Sequence, residues 1–343
     1  MTESTSATHH VDWTKSGSDL EFGAWTDDDE YFHGTGPDGD SLTETWYWGF
    51  SVPQHVINCY LYCWVHPNLD VVSAGVIVYR GLTPHHLSSE LFDFPAFMKA
   101  SDVVGDGSTI VVPNGLRVTV VEPTRHIRLE YRDTLRDTAF NVNLRAVSEP
   151  IMRSNGLHFE QIMHADGDLR LRGEQFSVDA HVVRDRSWGE LRPEVHNPGA
   201  PYNWVTAVSE DGAWGFNLGS IDEPGRDAAE IIRDGWIWRD GIATRLKPRP
   251  KLIVREGVMG RPESYETELA DLDGRSLSVR GDVVASVPWG GWHNMVAHLG
   301  LVRWSAADAI AWGDTMDCQW NEQLRTRFHA QRQRDPQART LEF

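Results

Sequence analysis

Cysteine is scarce. Three in 343 residues is an odd and small number, too few for the disulfide framework of a small secreted domain. Cys59 and Cys63 lie four apart in an apolar segment and read as buried thiols, because no further metal ligand is marked beside them. Long apolar runs are missing too. The longest, Val71 to Tyr79, falls far short of the roughly 20 residues that span a bilayer. Met1 to His10 has no apolar core of a signal peptide, so the cytoplasm is the expected compartment, without stable membrane insertion. Positive charge is in deficit: 32 Lys+Arg against 50 Asp+Glu leave a formal charge of −18. That balance argues against a nucleic-acid partner, whose backbone is gripped by clustered Lys and Arg. The chain also lacks a dinucleotide fingerprint, a phosphate loop, a serine nucleophile elbow and a familiar metal-ligand spacing. No cofactor and no metal are expected.

What is plentiful is tryptophan, 15 residues beside 12 Phe and 8 Tyr. Indole is large, rigid and amphipathic, and it packs well against flat apolar ligands. The length allows one large or two medium domains. Residues 1–20 read as a flexible leader. Beyond them come short alternating or β-branched segments, among them Val56–Val65, Val71–Tyr79, Leu116–Val121, Ile127–Tyr131, Phe176–Val183, Trp204–Val208 and Leu252–Val254. Asp166-Gly167, Asp211-Gly212, Asp240-Gly241 and Asp273-Gly274 read as hairpin turns between such segments. The pattern predicts a mostly antiparallel β protein, a barrel or sandwich. Helical spacing is weak, with candidates at Leu87–Ala100, Asp227–Ile232 and the polar tail from Asn321. A partial repeat relates His158-Phe159-Glu160 with its Asp-Gly to Ser264-Tyr265-Glu266 with its own, which either marks a recurring unit or reflects shared hairpin grammar. Ser148-Glu149-Pro150 interrupts the pattern, which puts a division near residue 150: a first domain over 21–150 and a second over 151–343.

Polar groups that could carry chemistry cluster in four places. In His181–Gly189, two arginines bracket Asp185 and Trp188 follows. Either Asp185 sits in a salt-bridged corner, with Arg184 and Arg186 in solvent and Trp188 plugging a barrel, or Asp185 faces a cavity as a general acid. In Glu44–Phe50, strand alternation puts Glu44, Trp46, Trp48 and Phe50 on one face. That places Glu44 either at the wet end of an edge strand or at the mouth of an aromatic cavity. His158 and Glu160 share a face further on. Trp289-Gly290-Gly291-Trp292-His293 sets glycines between indoles, and Tyr202-Asn203-Trp204 is similar in kind.

The run from Asp166-Gly167 through Arg172-Gly173-Glu174 to Arg184-Asp185-Arg186-Ser187-Trp188-Gly189, together with Glu44-Thr45-Trp46-Tyr47-Trp48, resembles the signature of a two-domain lipocalin-like superfamily. That superfamily includes carotenoid 1,2-hydratases, kievitone-hydratase-like proteins and cyclases of the Diels–Alderase type. The resemblance spans about residues 40–320 and is sharpest in these two motifs. It implies two lipocalin-like β-barrel or sandwich domains packed side by side. It also implies a cofactor-independent hydratase/dehydratase or isomerase working on a hydrophobic small molecule such as a terpenoid, steroid or aromatic. Asp185 falls on the family's acidic position, although arginines flank it here where the hydratases carry an aromatic residue and His. The expected roles follow. Asp185 is the main acid/base, Arg184 or Arg186 orients it or holds a substrate oxygen, with Arg186 counted among the catalytic residues, and Glu44 and His158 are further proton-transfer candidates. Trp46, Trp48, Trp188, Arg184, Tyr202, Trp292 and His293 line the ligand. The competing expectation is a non-catalytic carrier of the same ligands. The sequence leaves open whether the chain forms a homodimer.

Overall fold

Alternation of apolar with polar or aromatic residues makes strands wherever two faces must be buried differently, and this chain is built almost wholly of them. The computed structural model describes residues 21–37, 39–191, 202–222, 229–257, 259–292, 294–307 and 309–334. The first sheet holds β1 (Leu42–Val52), β2 (Ile57–His66), β3 (Val71–Arg80), β4 (Leu91–Asp93), β5 (Met98–Lys99), β6 (Thr109–Val111), β7 (Arg117–Glu122), β8 (His126–Asp133), β9 (Thr138–Ala146), β10 (Ile151–Met152), β11 (His158–Leu171) and β12 (Glu174–Leu191). The second holds β13 (Tyr202–Ser209), β14 (Trp214–Asp222), β15 (Ala229–Arg239), β16 (Ile242–Arg245), β17 (Pro250–Glu256), β18 (Arg261–Ala270), β19 (Ser276–Trp292), β20 (Met295–Ala306) and β21 (Ala309–Trp320). A helix, α1 (Ala100–Val103), sits within the first unit, and α2 (Asn321–Arg334) follows the last strand.

The first sheet curls into an open half-barrel ordered β4-β3-β2-β1-β12-β11-β9-β8-β7-β6. In the second, the pairing of β14 with β15 closes eight strands into a barrel. The expected two lipocalin-like β domains, side by side, are present. The chain changes sheet after Leu191 rather than near 150, because β11 pairs with β9 and β12 with β1. Those long strands carry the first domain some forty residues further than the interruption at Ser148-Glu149-Pro150 suggests.

Other expectations are corrected by the same ladders. Asp211-Gly212, Asp240-Gly241 and Asp273-Gly274 do lie between strands, but Asp166-Gly167 lies inside β11. There the missing side chain lets β9 approach: a Cβ on Gly167 would stand 2.1 Å from the Asn141 carbonyl oxygen. The turn of that hairpin is Arg172-Gly173, so the two halves of the apparent repeat fold out of step. Leu87–Ala100 is not a helix but a 3-10 turn and two short strands, and residues 229–232 open β15. The leader lies outside the described residues, as do residues 227 and 228.

Three large apolar clusters fill most of the molecule, beside a small one around Trp188. One fills the half-barrel and includes Trp46, Trp48, Phe50, Cys59 and Cys63. Another occupies the barrel around Phe216, Leu218 and Trp304. The third is a seam between the domains, where Tyr47, Tyr60, Tyr62, Trp64 and Tyr79 of the first sheet meet Trp204, Trp236, Trp289 and Leu299 of the second. Backbone hydrogen bonds from Thr83 N to Ser286 O at 2.7 Å and from Ser286 N to Gly81 O at 3.0 Å tie the two sheets at one edge. The three cysteines are buried thiols outside any disulfide.

Inside the barrel, the apolar cluster gives way to ions. Glu230 and Lys251, both fully buried, pair at 2.8 Å, and Arg255 bridges Glu230 at 2.8 Å to Asp317 at 2.6 Å. Lys251 also donates to Asn203. Paired cations hold Glu230 down at about 2 despite its burial.

Candidate functional site

Strand parity decides which residues can meet. Across β2, β1, β12 and β11 the register aligns Tyr62 with Tyr47, Tyr47 with Asp185, and Asp185 with Glu160. Directly opposed residues of antiparallel neighbours share a face, so this row faces the seam. The alternate residues Glu44, Trp46, Trp48, Arg184 and Arg186 face into the half-barrel.

That inner face is a set of buried ion pairs. Arg184 and Glu30 are both 0% exposed and joined by two contacts, 2.8 and 2.7 Å; Arg184 also donates to the Gln161 side-chain oxygen at 2.6 Å. Arg186 pairs with Glu44, donates to the Tyr31 carbonyl at 2.6 Å, and lies 3.8 Å over the Trp46 ring. Glu44 further accepts from the His33 backbone N–H at 3.1 Å. The arginines therefore neither face solvent nor touch Asp185. They pin the segment Thr26–His33 onto the sheet. Because β1 lies between β2 and β12, Glu44 is on a central strand and not an edge. Trp188 packs with Met152 and Phe159 and stacks on His33 at 4.5 Å, away from the seam.

The seam holds a narrow cavity. Tyr47, Tyr60, Tyr62 and Tyr79 form one wall with Asp185, and Trp204, Asp314, Thr315 and Met316 form the other. Its free volume, about 10 Å³ for the centre of a water-sized sphere, is roughly what one water needs. The rings pack closely: Tyr47 and Tyr60 at 4.9 Å, Tyr47 edge-on to Trp204 at 5.6 Å. Gly49, next along the seam face, makes this possible, since a Cβ there would stand 2.3 Å from the Tyr47 hydroxyl oxygen.

Asp314, on β21, is the residue that sequence reasoning missed. It is buried, and burial pushes its carboxyl up to about 6, while donation by Asn58 and the approach of the Tyr47 hydroxyl oppose the rise. Asn58 Nδ2 donates to Asp314 Oδ1 at 2.7 Å and to the Tyr79 hydroxyl at 2.8 Å. Among the described residues lining the cavity none is basic. Asp185 is half-buried, and its charge raises the nearby Tyr60 phenol, already raised by burial.

His158 and Glu160 flank this cavity in a separate network. Glu160 accepts from His158 at 2.8 Å, from Arg153 at 3.2 Å and from the Trp236 indole at 3.2 Å. Burial acts to raise its carboxyl, but His158 and Arg153 outweigh it and hold it at about 2. Tyr202 is half-buried at the seam beside Arg153, its phenol raised by burial. Trp292 ends β19, and His293 lies outside the described residues. The flat partner of the Gly290-Gly291 step is Trp289 itself, whose ring would lie 2.2 Å from a Cβ on Gly291. A sequence signal for the seam did exist in β2, where Tyr60, Tyr62 and Trp64 alternate with Cys59, Leu61 and Cys63.

Another depression, an open groove of about 530 Å³, crosses the outside of β7, β8, β9 and β11. Exposed side chains such as Arg117, Arg132 and Asp168 line it, so it offers no desolvated chemistry. Among the described residues no three His, Cys, Asp or Glu gather as a metal site. No helix among them is long and apolar enough to cross a membrane.

Comparison with known proteins agrees with the fold. A protein described as AttH (NE1406) from Nitrosomonas europaea superposes with a TM-score of 0.59 at 12% identity, covering 84% of this chain and 95% of its own. Kievitone hydratase from Nectria haematococca superposes with a TM-score of 0.55 at 10% identity, covering 90% of this chain and 95% of its own. No curated protein matches the chain in sequence. The family model described as "Domain of unknown function (DUF7064)" matches residues 26–322.

Proposed function

We propose that this chain, which belongs to the DUF7064 family, is a cofactor-independent acid/base enzyme acting on a hydrophobic small molecule, a hydratase/dehydratase or isomerase, and that the seam, whose closed cavity has room for about one water, parts to admit it. The observation that carries the reading is Asp314: a buried carboxyl held near 6 in an aromatic cavity. A general acid works best when it holds its proton close to the working pH. Asp185 supplies a second carboxyl from the other domain. One can then give a proton to a carbon centre while the other takes one from water or from carbon. The tyrosine and tryptophan walls favour an apolar substrate body, and the fold shared with a hydratase supports the lyase class. His158 acts through Glu160 as a positioning residue beside Asp185.

The experiment is tryptophan quenching with a panel of terpenoids, steroids and aromatics. Incubation of each bound ligand in deuterated water with product analysis follows. Deuterium incorporation or product that is lost in Asp314→Asn and in Asp185→Asn, with ligand affinity and thermal stability nearly kept, supports the enzyme. Ligand recovered unchanged and undeuterated from the unaltered protein makes it a carrier.

A further inference from the structure

Asp314 owes its burial to the other domain. Along β21, Thr315 turns its hydroxyl into the barrel, where it meets the Tyr265 hydroxyl at 2.8 Å. Asp314 and Met316 alternate with it and face the seam. On an isolated barrel that face is the outer wall, and the carboxyl would stand in water. The groups that cover it belong to the first domain. Asn58 of β2 donates to it at 2.7 Å, the Tyr47 hydroxyl of β1 donates to it as well, and Tyr79 of β3 is held beside it through Asn58. With these in place Asp314 is 7% exposed. The space left between the domains holds about one water, so a ligand enters only when the seam parts. Parting takes both donors away from Asp314 and returns the carboxyl to solvent.

The two settings favour different forms of the group. In the closed seam, desolvation favours the neutral acid and outweighs two uncharged donors; in the open seam, water solvates the charge. Resting on the acid/base reading above, we propose that docking of the two domains loads the catalytic acid: closing of the seam carries a solvent proton onto Asp314, and parting releases it. The acid is then made as a substrate is enclosed, and a parted seam has only a carboxylate to offer. The other titratable groups around Asp314 are the phenols of Tyr47, Tyr60, Tyr62 and Tyr79, the thiols of Cys59 and Cys318, and the Asp185 carboxyl. Burial raises Tyr47, Tyr60, Tyr79 and Cys59 well above their ordinary values, so these stay protonated while Asp314 titrates. Elsewhere between the domains, His158 and Arg153 hold Glu160 at about 2, so it stays ionised against the Trp236 indole. His181 lies against the Gly212 turn of the second domain and is lowered by burial. Its loss of a proton therefore favours docking, the opposite sign to Asp314.

Cys318, 5% exposed at the seam, reports the opening. The full chain is treated with N-ethylmaleimide between pH 5 and 7, at a concentration low enough that closing outruns labelling. The labelled residue is identified by peptide mass, and each rate is divided by that of free cysteine at the same pH. With Asp314 at about 6 when closed and at its ordinary 3.8 when open, the corrected rate at Cys318 should rise about tenfold from pH 5 to pH 7. Asp314→Asn should abolish or reverse the rise, and Asp185→Asn should keep it. Asn58→Leu removes a donor to the charged form and should steepen the rise, which keeps the test open should Asp314→Asn not fold. An equal rise in the unaltered protein and Asp314→Asn overturns the proposal, as does a Cys318 that is never labelled. If Asp314→Asn still abolishes deuterium incorporation in that event, the acid/base reading stands without the coupling. A rise that needs Asp314, with turnover untouched by Asp314→Asn, keeps the proton-linked seam and removes the acid/base reading.

Discussion

Asn58 and Asp314 belong to different sheets, and a hydrogen bond of 2.7 Å joins them across the seam. The same amide nitrogen holds the Tyr79 hydroxyl at 2.8 Å. Asn58 therefore orients the acid and favours its charged form. Asn58→Leu is expected to move the titration of Asp314 upward, and to cost about 1–3 kcal/mol of stability at pH 8, where the carboxylate would be left buried without its donor. At pH 5 the cost should be smaller. Urea unfolding at the two pH values, with the carboxyl followed by infrared absorption, checks both.

The raised carboxyl of Asp314 also makes stability depend on pH. Its folded value of about 6 lies above the ordinary 3.8, so the folded chain holds this proton more tightly than the unfolded one. That contribution is fully present below about 3.8 and is lost as pH rises through 6, to the extent of roughly 3 kcal/mol. Asp314→Asn removes the titration. Between pH 4 and 7 the variant should lose that much less stability than the unaltered protein, and equal slopes in the two would count against a perturbed carboxyl.

Glu30 and Arg184 form a buried pair with no solvent access. Glu30→Ala strands the guanidinium, and the expected cost is about 3–5 kcal/mol. Since the pair also fastens Thr26–His33, limited proteolysis should cut that segment sooner in the variant. Ligand affinity at the seam should change little while the protein stays folded.

Gly49→Ala tests the packing behind the cavity. The added methyl would fall 2.3 Å from the Tyr47 hydroxyl oxygen, so the ring must shift, at a cost of about 1–3 kcal/mol. Thermal unfolding should show it as a lowered midpoint, whereas Tyr47→Phe leaves the ring in place and removes only the hydroxyl beside Asp314.

In the barrel, Lys251→Met leaves the fully buried Glu230 with Arg255 as its remaining ionic partner. A loss of about 3–5 kcal/mol is expected, measured as a lowered midpoint in thermal unfolding.

Period-two alternation made most strands legible, because one residue in two had to be apolar whichever way the strand lay. Parity relative to the ligand was not legible. Both faces of β1 are buried, one in the half-barrel and one at the seam. Glu44, Trp46 and Trp48 therefore looked as fit to line a cavity as Tyr47. Asp185 could be singled out from its motif, but its flanking arginines pointed the wrong way, since neighbours along a strand face opposite sides. Asp314 lies far along the chain on β21, and its neighbour in function, Asn58, is on β2. Only the docking of two domains brings them together, and no local pattern marks it. At Asp166-Gly167, local turn chemistry was overridden by a fourteen-residue strand paired on both sides.

The barrel of the second domain is a cup already full: indole, phenyl and aliphatic groups fill one part of its lumen, and Glu230, Lys251, Arg255 and Asp317 fill another. A molecule that lodges between the domains instead has two landlords. Whatever binds there acts as mortar, adding its own affinity to the adhesion of one domain to the other. Occupancy should then be readable far from the ligand, as two halves of the chain that come apart together when the seam is filled and more readily one by one when it is empty.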